Sequence, residues 1–198
     1  MKYSLIAFII SLFVFSGTMA QMNKFPNGIY LSLEQLKNQT PVYDVNLEII
    51  KRFSGDIAMI GGNDYKLESP NDSIEKKYIK KTIYAYVKGD SILLNCFPHK
   101  LQIWYARALT SGNFLVFKAC MTNKEATGVA IFGGVIGGAI ASGKRYLNVL
   151  SLRTGNVREL TKEYLIERLK DKQDLLDQYN LENENDLEEV MIRYVQLL

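Results

Sequence analysis

The stretch Lys81–Cys120, KTIYAYVKGDSILLNCFPHKLQIWYARALTSGNFLVFKAC, decides the fold of this chain. Short turn segments that contain glycine or proline divide it, and both residue types are disfavoured inside a central strand. The runs between these turns are rich in β-branched and aromatic residues, which favour strands. The spacing therefore predicts an antiparallel meander of three or four strands. The four runs are Thr82–Val87, Ser91–Phe97, Gln102–Leu109 and Asn113–Cys120.

Alternation along the last two runs predicts which face of the sheet is buried. Side chains at every second position of a strand share one face. Small alanines beside Trp104 and Phe117 let a helix or a second sheet approach closely. We expect this face to be the core and the final helix to pack against it. Its predicted members are Trp104, Ala106, Ala108, Leu115, Phe117 and Ala119.

Further strands are predicted on both sides of the meander, which brings the sheet to six or more strands. Thr154 and Gly155 form the turn of a hairpin late in the chain. Gly61 and Gly62 interrupt one of the earlier segments. The strand-like segments outside the meander are Val42–Phe53, Asp56–Leu67, Tyr146–Leu152 and Asn156–Leu160.

Helices are predicted near both ends of the chain. Ser32 and Gln35 have the spacing of a capping box, which predicts a short N-terminal helix. Thr161 caps the first of two or three C-terminal helices, and apolar residues recur at helical spacing through Leu187–Leu198. The predicted fold class is α+β, with an antiparallel β-meander sheet, a short N-terminal helix and two or three C-terminal helices.

Residues 1–20 have the pattern of a secretory signal peptide. Lys2 precedes an apolar run at Leu5–Phe15, and small residues end the segment at Ala20. A transmembrane anchor would need roughly 20 apolar residues, which is longer than this run. No cysteine follows the run, so we do not expect a lipoprotein. The sequence therefore predicts an exported protein, periplasmic or secreted, whose residues 21–198 form a single domain.

Two segments carry a resemblance to a known group of proteins. Gly28–Leu36 reads GIYLSLEQL, and Thr154–Val157 reads TGNV before a leucine-rich helix. With these motifs the chain resembles an uncharacterised family of small exported proteins from Gram-negative gut bacteria. The resemblance covers most of the mature chain and implies export. It implies no activity and no catalytic residues, because none is established for that family.

Charge and histidine content exclude several classes of function. The formal net charge is +3, and it becomes +2 without Lys2, which is too small for a nucleic-acid-binding protein. The basic clusters at Lys76-Lys77, Lys80-Lys81 and Lys144-Arg145 are interpreted as solvated strand ends, and the alternative is a phosphate or anionic-surface role. His99 is the only histidine, which excludes sites that need two imidazoles. We expect no metal, no cofactor and no nucleic-acid partner.

Residues 128–143 form an uncharged, glycine-rich insertion. Gly133 and Gly137, like Gly134 and Gly138, have the G-x-x-x-G spacing that lets helices pack closely in lipid. One hypothesis is a loosely packed loop between two strands, because glycine loses the most entropy on ordering. The other is a segment that touches a membrane or associates with itself.

Aromatic strand residues offer one candidate ligand site. Tyr84, Tyr86, Trp104 and Tyr105 would line a sugar or peptide groove if they converged, although aromatic strand residues also build cores. The leading functional hypothesis is an exported, non-catalytic binding or structural protein, because the acid–base and metal motifs are missing. Two alternatives stay open. One is a carboxylate-based hydrolase such as a glycosidase, and the other is a membrane-associating protein that uses the glycine-rich segment.

The two cysteines, Cys96 and Cys120, end the second and fourth strands of the meander. The strand between them separates them by two strand spacings, about 9.6 Å in all. A disulfide needs Cα atoms within about 7 Å. The sequence therefore predicts two buried, unpaired thiols.

Overall fold

The meander of the sequence forms the middle of an antiparallel sheet in a computed structural model, which describes residues 25–122, 124, 125, 127, 128 and 143–198. Residues 1–20 and Gly133, Gly134, Gly137 and Gly138 lie outside the described residues. The strands are β1 (Gly28–Tyr30), β2 (Glu48–Lys51), β3 (Tyr65–Glu68), β4 (Ala85–Lys88), β5 (Ser91–Asn95), β6 (Tyr105–Ser111), β7 (Phe114–Ala119), β8 (Tyr146–Ser151) and β9 (Val157–Glu159). The helices are α1 (Leu33–Lys37), α2 (Ser54–Ile60), α3 (Lys76–Lys81), α4 (Lys162–Leu169), α5 (Gln173–Leu181) and α6 (Glu188–Val195).

Sequential pairing of β4, β5, β6 and β7 confirms the predicted meander. The order of the sheet is β1-β4-β5-β6-β7-β8-β9, and each of these neighbours is antiparallel. The β2–β3 hairpin joins β6 through the pair Tyr65–Tyr105. The α+β class with a short N-terminal helix and C-terminal helices is confirmed.

The region before the meander differs from the prediction. Val42–Phe53 and Asp56–Leu67 were expected to be two long strands, but only β2 and β3 are extended there, and helix α2 separates them. The guanidinium of Arg52 donates to Asp56 within the first turn of α2 and to the carbonyl of Gly61 after its end. These hydrogen bonds hold the helix in place, although no residue of α2 is buried.

The lysine pairs that were interpreted as strand ends belong to helix α3, which ends one residue before Thr82. Tyr78 accepts from the backbone N–H groups of both Thr82 and Ile83, which closes the helix just before the first strand of the meander. Ile79 is the single buried residue of this helix. Ile79 therefore anchors α3 to the sheet, and most lysines of the helix are exposed to solvent.

The face of the sheet that carries Ala106, called here the Ala106 face, is buried as predicted. Ala106, Ala108 and Phe117 belong to one cluster with residues of β1, β4, β5 and β8. Leu36 of α1 also belongs to this cluster, whereas Trp104 does not. A Cβ on Gly155 would lie 2.8 Å from Leu33 of α1. Helix α1 therefore contacts the β8–β9 turn at one end of the sheet as well as β1 at the other.

The C-terminal helices pack on the opposite face, which carries Tyr105 and is called here the Tyr105 face. Leu165, Leu169 and Tyr194 cluster with Phe114 and Val116. The prediction that the final helix covers the Ala106 face is therefore wrong. Apolar residues of β7 lie on both faces of the sheet, so both faces must be buried by other elements. Helix α1 and the N-terminal segment pack on the Ala106 face, which leaves the Tyr105 face to the C-terminal helices.

Candidate functional site

Helix α2 exposes an unusual amount of apolar surface. Phe53, Met59 and Ile60 are 82%, 89% and 62% exposed, and all three lie in or directly before α2. Single exposed apolar residues are common, but three large ones within eight consecutive residues make this segment a candidate interaction site.

A buried arginine anchors α2 to the sheet. The Arg52 side chain has 0% exposure, and its Nε donates to Oδ2 of Asp56 at 2.9 Å. Its Nη1 donates to the carbonyls of Gly61 at 2.7 Å and Asn63 at 2.8 Å. The guanidinium beside Asp56 is also the main reason why the pKa of that carboxyl lies below its usual value. Asp56 is thus held as an anion that pairs with Arg52.

Asn63 ties this anchor to the rest of the fold. It is fully buried, and its Nδ2 donates to the carbonyls of Leu101 at 2.7 Å and Ile103 at 3.1 Å. Its Oδ1 accepts from the backbone N–H of Cys120 at 2.7 Å. One side chain therefore joins the β2–β3 connection, the segment before β6 and the end of β7. Such a satisfied buried network gives the region a defined geometry.

A second arginine brings the start of β8 to the same place. Nη2 of Arg145 lies 2.6 Å from Oδ1 of Asp64 and 3.3 Å from the carbonyl of Gly62. Gln102 donates to the carbonyl of Met121 at 3.3 Å. The residues that precede and follow the glycine-rich insertion are thus both attached beside α2.

Trp104 lies in the centre of this region, with cations from α3, from β3 and from the segment between β2 and α2 near its ring. The ring centroid is 4.8 Å from Nζ of Lys80, 5.3 Å from Nζ of Lys66 and 5.8 Å from Cζ of Arg52. These distances are within the range of cation–π attraction. The indole Nε1 is buried and has no hydrogen-bond partner among the described residues. The ring therefore lies between Arg52, which anchors α2, and the lysine-rich helix α3.

The backbone that presents Trp104 is strained. Lys100, Gln102 and Trp104 have φ values of +62°, +65° and +75°, a region that non-glycine residues rarely adopt. Such outliers concentrate at functional sites and persist only where the surroundings enforce them. Here the bonds of Asn63 to Leu101 and Ile103 enforce them. The strained backbone also explains why Trp104 leaves the face that alternation predicted.

Exposed lysines complete the site. Lys76, Lys77 and Lys81 of α3 are exposed, and Nζ of Lys81 lies 5.7 Å from the ring centroid of Phe97. We call this region the Trp104 end. It consists of α2 with Phe53, of Trp104 and of the lysines of α3. This end combines protruding apolar side chains with positive charge.

The predicted aromatic groove does not form. Tyr86 and Tyr105 are core residues of the Tyr105 face, and the hydroxyl of Tyr105 donates to the carbonyl of Ile79. Tyr84 packs against the cluster of the Ala106 face instead. Trp104 belongs to neither of these clusters. Tyr84 lies just before β4 and outside the alternation of that strand, so it enters a different cluster from Tyr86.

Cys96 and Cys120 are buried, and His99 is half-buried. Burial lowers the pKa of His99 from 6.5 to about 4, and its ring stacks edge-on to Tyr84 with centroids 5.4 Å apart. Cys96 and Cys120 are buried and unpaired, which confirms that prediction. Burial raises the pKa of both thiols, so neither is a ready nucleophile.

Within the described part of the chain, no group of three or more histidine, cysteine, aspartate or glutamate side chains could hold a metal ion.

No helix in the described ranges is both long enough and apolar enough to cross a membrane.

Comparison with known proteins identifies the family. Residues 28–198 match the model of a family of unknown function, DUF6563. No curated protein and no solved structure matches the chain significantly. The match covers both the sheet and the C-terminal helices, and it agrees with the predicted resemblance to an uncharacterised family. The chain therefore belongs to DUF6563, a family of unknown function.

Proposed function

We propose that this is an exported, non-catalytic protein that associates with an anionic membrane surface through the Trp104 end. The observation that carries the proposal is the exposure of Phe53, Met59 and Ile60 on a helix that a buried arginine fixes to the sheet. A rigid helix presents these side chains without the entropy loss of ordering a loop. Export rests on the signal-peptide pattern of residues 1–20.

The charge beside α2 supports a lipid surface as the partner. Lys76, Lys77, Lys80 and Lys81 lie in one helix, and the Trp104 ring centroid lies 4.8 Å from Nζ of Lys80 and 5.8 Å from Cζ of Arg52, the residue that anchors α2. Apolar side chains that insert into the interface, flanked by lysines, are typical of monotopic membrane contacts. Each lysine close to an anionic surface contributes about 1 kcal/mol. Residues 129–142 are uncharged, and their flanking residues are attached at the same end.

The test is co-sedimentation of residues 21–198 with vesicles of phosphatidylcholine alone or mixed with phosphatidylglycerol. We expect binding to the anionic vesicles and little binding to the neutral ones. The triple variant Phe53→Ser/Met59→Ser/Ile60→Ser should lose binding, because it removes the inserted side chains. A matched control is Leu181→Ser, which removes an 82% exposed leucine from α5, outside the Trp104 end.

Two further variants separate the contributions. Lys76→Gln/Lys77→Gln/Lys81→Gln should reduce binding only to the anionic vesicles, because these lysines act through charge. Deletion of residues 129–142 tests whether the insertion contributes. Circular dichroism confirms that each variant folds. A wild-type protein that stays in the supernatant with both vesicle types contradicts the proposal, as does a serine triple variant that binds like the wild type.

A further inference from the structure

A second site lies at the other end of the sheet, in a cleft of about 290 Å³. Residues from three segments line it: Arg153 in the β8–β9 turn, Arg158 in β9 and Arg168 in the last turn of α4. All three are exposed at its walls. Arg158 pairs with Val149, so it lies on the Tyr105 face, where α4 packs. The packing of α4 on the sheet therefore creates the cleft.

The three arginines have no ion-pair partner among the described residues. The ion pairs of the described chain involve other cations, for example Arg193 with Glu182. The guanidinium of Arg168 lies 5.9 Å from the ring centroid of Phe114, which holds it by a cation–π contact. Glu167 is the one carboxylate in the lining. The side chains of the cleft therefore carry a net charge of about +2.

The turn that forms one wall is rigid. The backbone N–H of Gly155 donates to the carbonyl of Ser151 at 2.8 Å, and that of Asn156 donates to Oγ1 of Thr154 at 3.3 Å. Leu33 of α1 packs against Gly155 from the other side. Thr154 and Asn156 also line the cleft and offer hydrogen-bonding groups beside the arginines. A preorganised wall reduces the entropy lost on binding.

From this arrangement we infer that the cleft between the β8–β9 turn and α4 binds a small organic anion. Guanidinium groups match the geometry of carboxylate, phosphate and sulfate oxygens and bind them with two parallel hydrogen bonds. A volume near 300 Å³ is at the lower limit for small-molecule sites, so the ligand is a single small molecule and not a polymer segment. The hydroxyl and amide of Thr154 and Asn156 suit a ligand that also carries hydroxyl groups.

Isothermal titration calorimetry of residues 21–198 tests this inference. The probes are glucuronate, glucose 6-phosphate and glucose sulfate, with neutral glucose as the reference and inorganic phosphate to test the bare anion. At least one charged sugar should bind saturably with a Kd below about 10 mM, and glucose should not. The ranking of the three charged sugars identifies the preferred anionic group. The absence of saturable binding for every charged probe overturns the inference.

Variants locate the binding. Arg158→Gln or Arg168→Gln should weaken the binding of the charged sugar about tenfold, because each removes charge-assisted hydrogen bonds. Arg107→Gln is the matched control, since it removes one exposed arginine from β6, outside the cleft. Glu167→Gln should tighten binding, because it removes the one negative charge of the lining. If Arg107→Gln weakens binding as much as Arg158→Gln does, the attraction is nonspecific and the assignment to this cleft is wrong.

The two proposals are independent of each other. The inference rests on the cleft beside α4, and vesicle binding rests on α2 and α3. Arg158→Gln should leave vesicle binding unchanged, and the serine triple variant of α2 should leave the binding of charged sugars unchanged.

Discussion

The Trp104 end and the arginine cleft use arginine in opposite ways. At the Trp104 end, Arg52 is buried and donates to Asp56 and to two backbone carbonyls. In the cleft, Arg153, Arg158 and Arg168 are exposed and form no ion pair among the described residues. A guanidinium whose donors are already used cross-links the fold, whereas one with free donors in a concave surface is available to a ligand. The difference predicts that mutation of Arg52 lowers the free energy of unfolding strongly, whereas mutation of the cleft arginines changes it little.

The largest effect is expected from Arg52→Met. This change leaves the carbonyls of Gly61 and Asn63 without their donor and removes one of the two cations that pair with Asp56, the other being Lys66 at 3.3 Å. Removal of one member of a buried ion pair costs about 3 to 5 kcal/mol, and we expect the free energy of unfolding to fall by about 3 kcal/mol because Asp56 is partly exposed. Urea denaturation followed by circular dichroism measures it.

The control for that experiment is Arg193→Gln. Arg193 pairs with Glu182 at the surface, where an ion pair contributes about 0 to 1 kcal/mol. If Arg52→Met destabilises the protein no more than this control does, Arg52 does not anchor α2.

The second largest effect is expected from Gly62→Ala, also at the Trp104 end. Gly62 has a φ of +84°, and an added Cβ would lie 2.8 Å from Cδ1 of Trp104 and 2.9 Å from Cγ1 of Ile103. Backbone strain costs about 1 kcal/mol and overpacking about 1 to 2 kcal/mol, so the free energy of unfolding should fall by about 2 to 3 kcal/mol. The thermal midpoint and the tryptophan fluorescence should both change, because Trp104 is the single tryptophan.

Gly89→Ala separates strain from contact. Gly89 has a φ of +59°, but nothing lies within 4 Å of an added Cβ. This variant should lose only the strain component, about 1 kcal/mol. Equal losses at both positions would show that Trp104 moves freely away from Gly62 and that the region is not tightly packed.

A smaller effect on stability is expected from the titration of His99. Unlike Arg52, its side chain has no ion-pair partner among the described residues, and it is less exposed than the arginines of the cleft. Its pKa is about 4 in the folded protein and 6.5 as the ordinary value, because burial disfavours the imidazolium. Between these pH values the unfolded chain takes up a proton that the folded protein does not, so stability falls as the pH drops from 6.5 to 4. The loss attributable to His99 should be about 1 to 2 kcal/mol, since the ring is partly exposed.

The variant His99→Phe isolates this contribution from the carboxylates. The free energy of unfolding is measured for both proteins at pH 7, 5.5 and 4. It should decrease less steeply with falling pH in the variant than in the wild type. Parallel pH profiles for the two proteins would mean that His99 does not titrate differently on folding.

The smallest effect is expected in the cleft itself. Arg153→Gln and Arg158→Gln should each change the free energy of unfolding by no more than about 0.5 kcal/mol, because exposed side chains without partners contribute little to the fold. Removing either charge also relieves repulsion among the three arginines, so the sign of the change is stabilising at low salt. Urea denaturation at low and high salt checks this. A loss above about 1 kcal/mol would identify these arginines as structural.

The success of the sequence prediction depended on where periodicity was strong. The meander was predicted correctly because its strands are separated by clear turns and carry apolar residues on a regular pattern. Helix α2 was missed because its seven residues make fewer than two turns, which is too short for a helical period to be told from the alternation of a strand. The spacing of Arg52 and Asp56, which is i and i+4, was the one local signal for a helix there.

Local sequence determined the strands of the meander, the caps at Ser32 and Thr161 and the unpaired state of the cysteines, because each depends on neighbours along the chain or on strand order. Tertiary structure alone decided which face of the sheet the final helix covers, since apolar residues of β7 occupy both faces and only the packing of α1 distinguishes them. Tertiary structure also determined which residues come together in both candidate sites. Arg52 is distant in sequence from Trp104, and Arg153 is distant from Arg168. Such residues are brought together by the packing of the helices on the sheet, and no local periodicity encodes that packing.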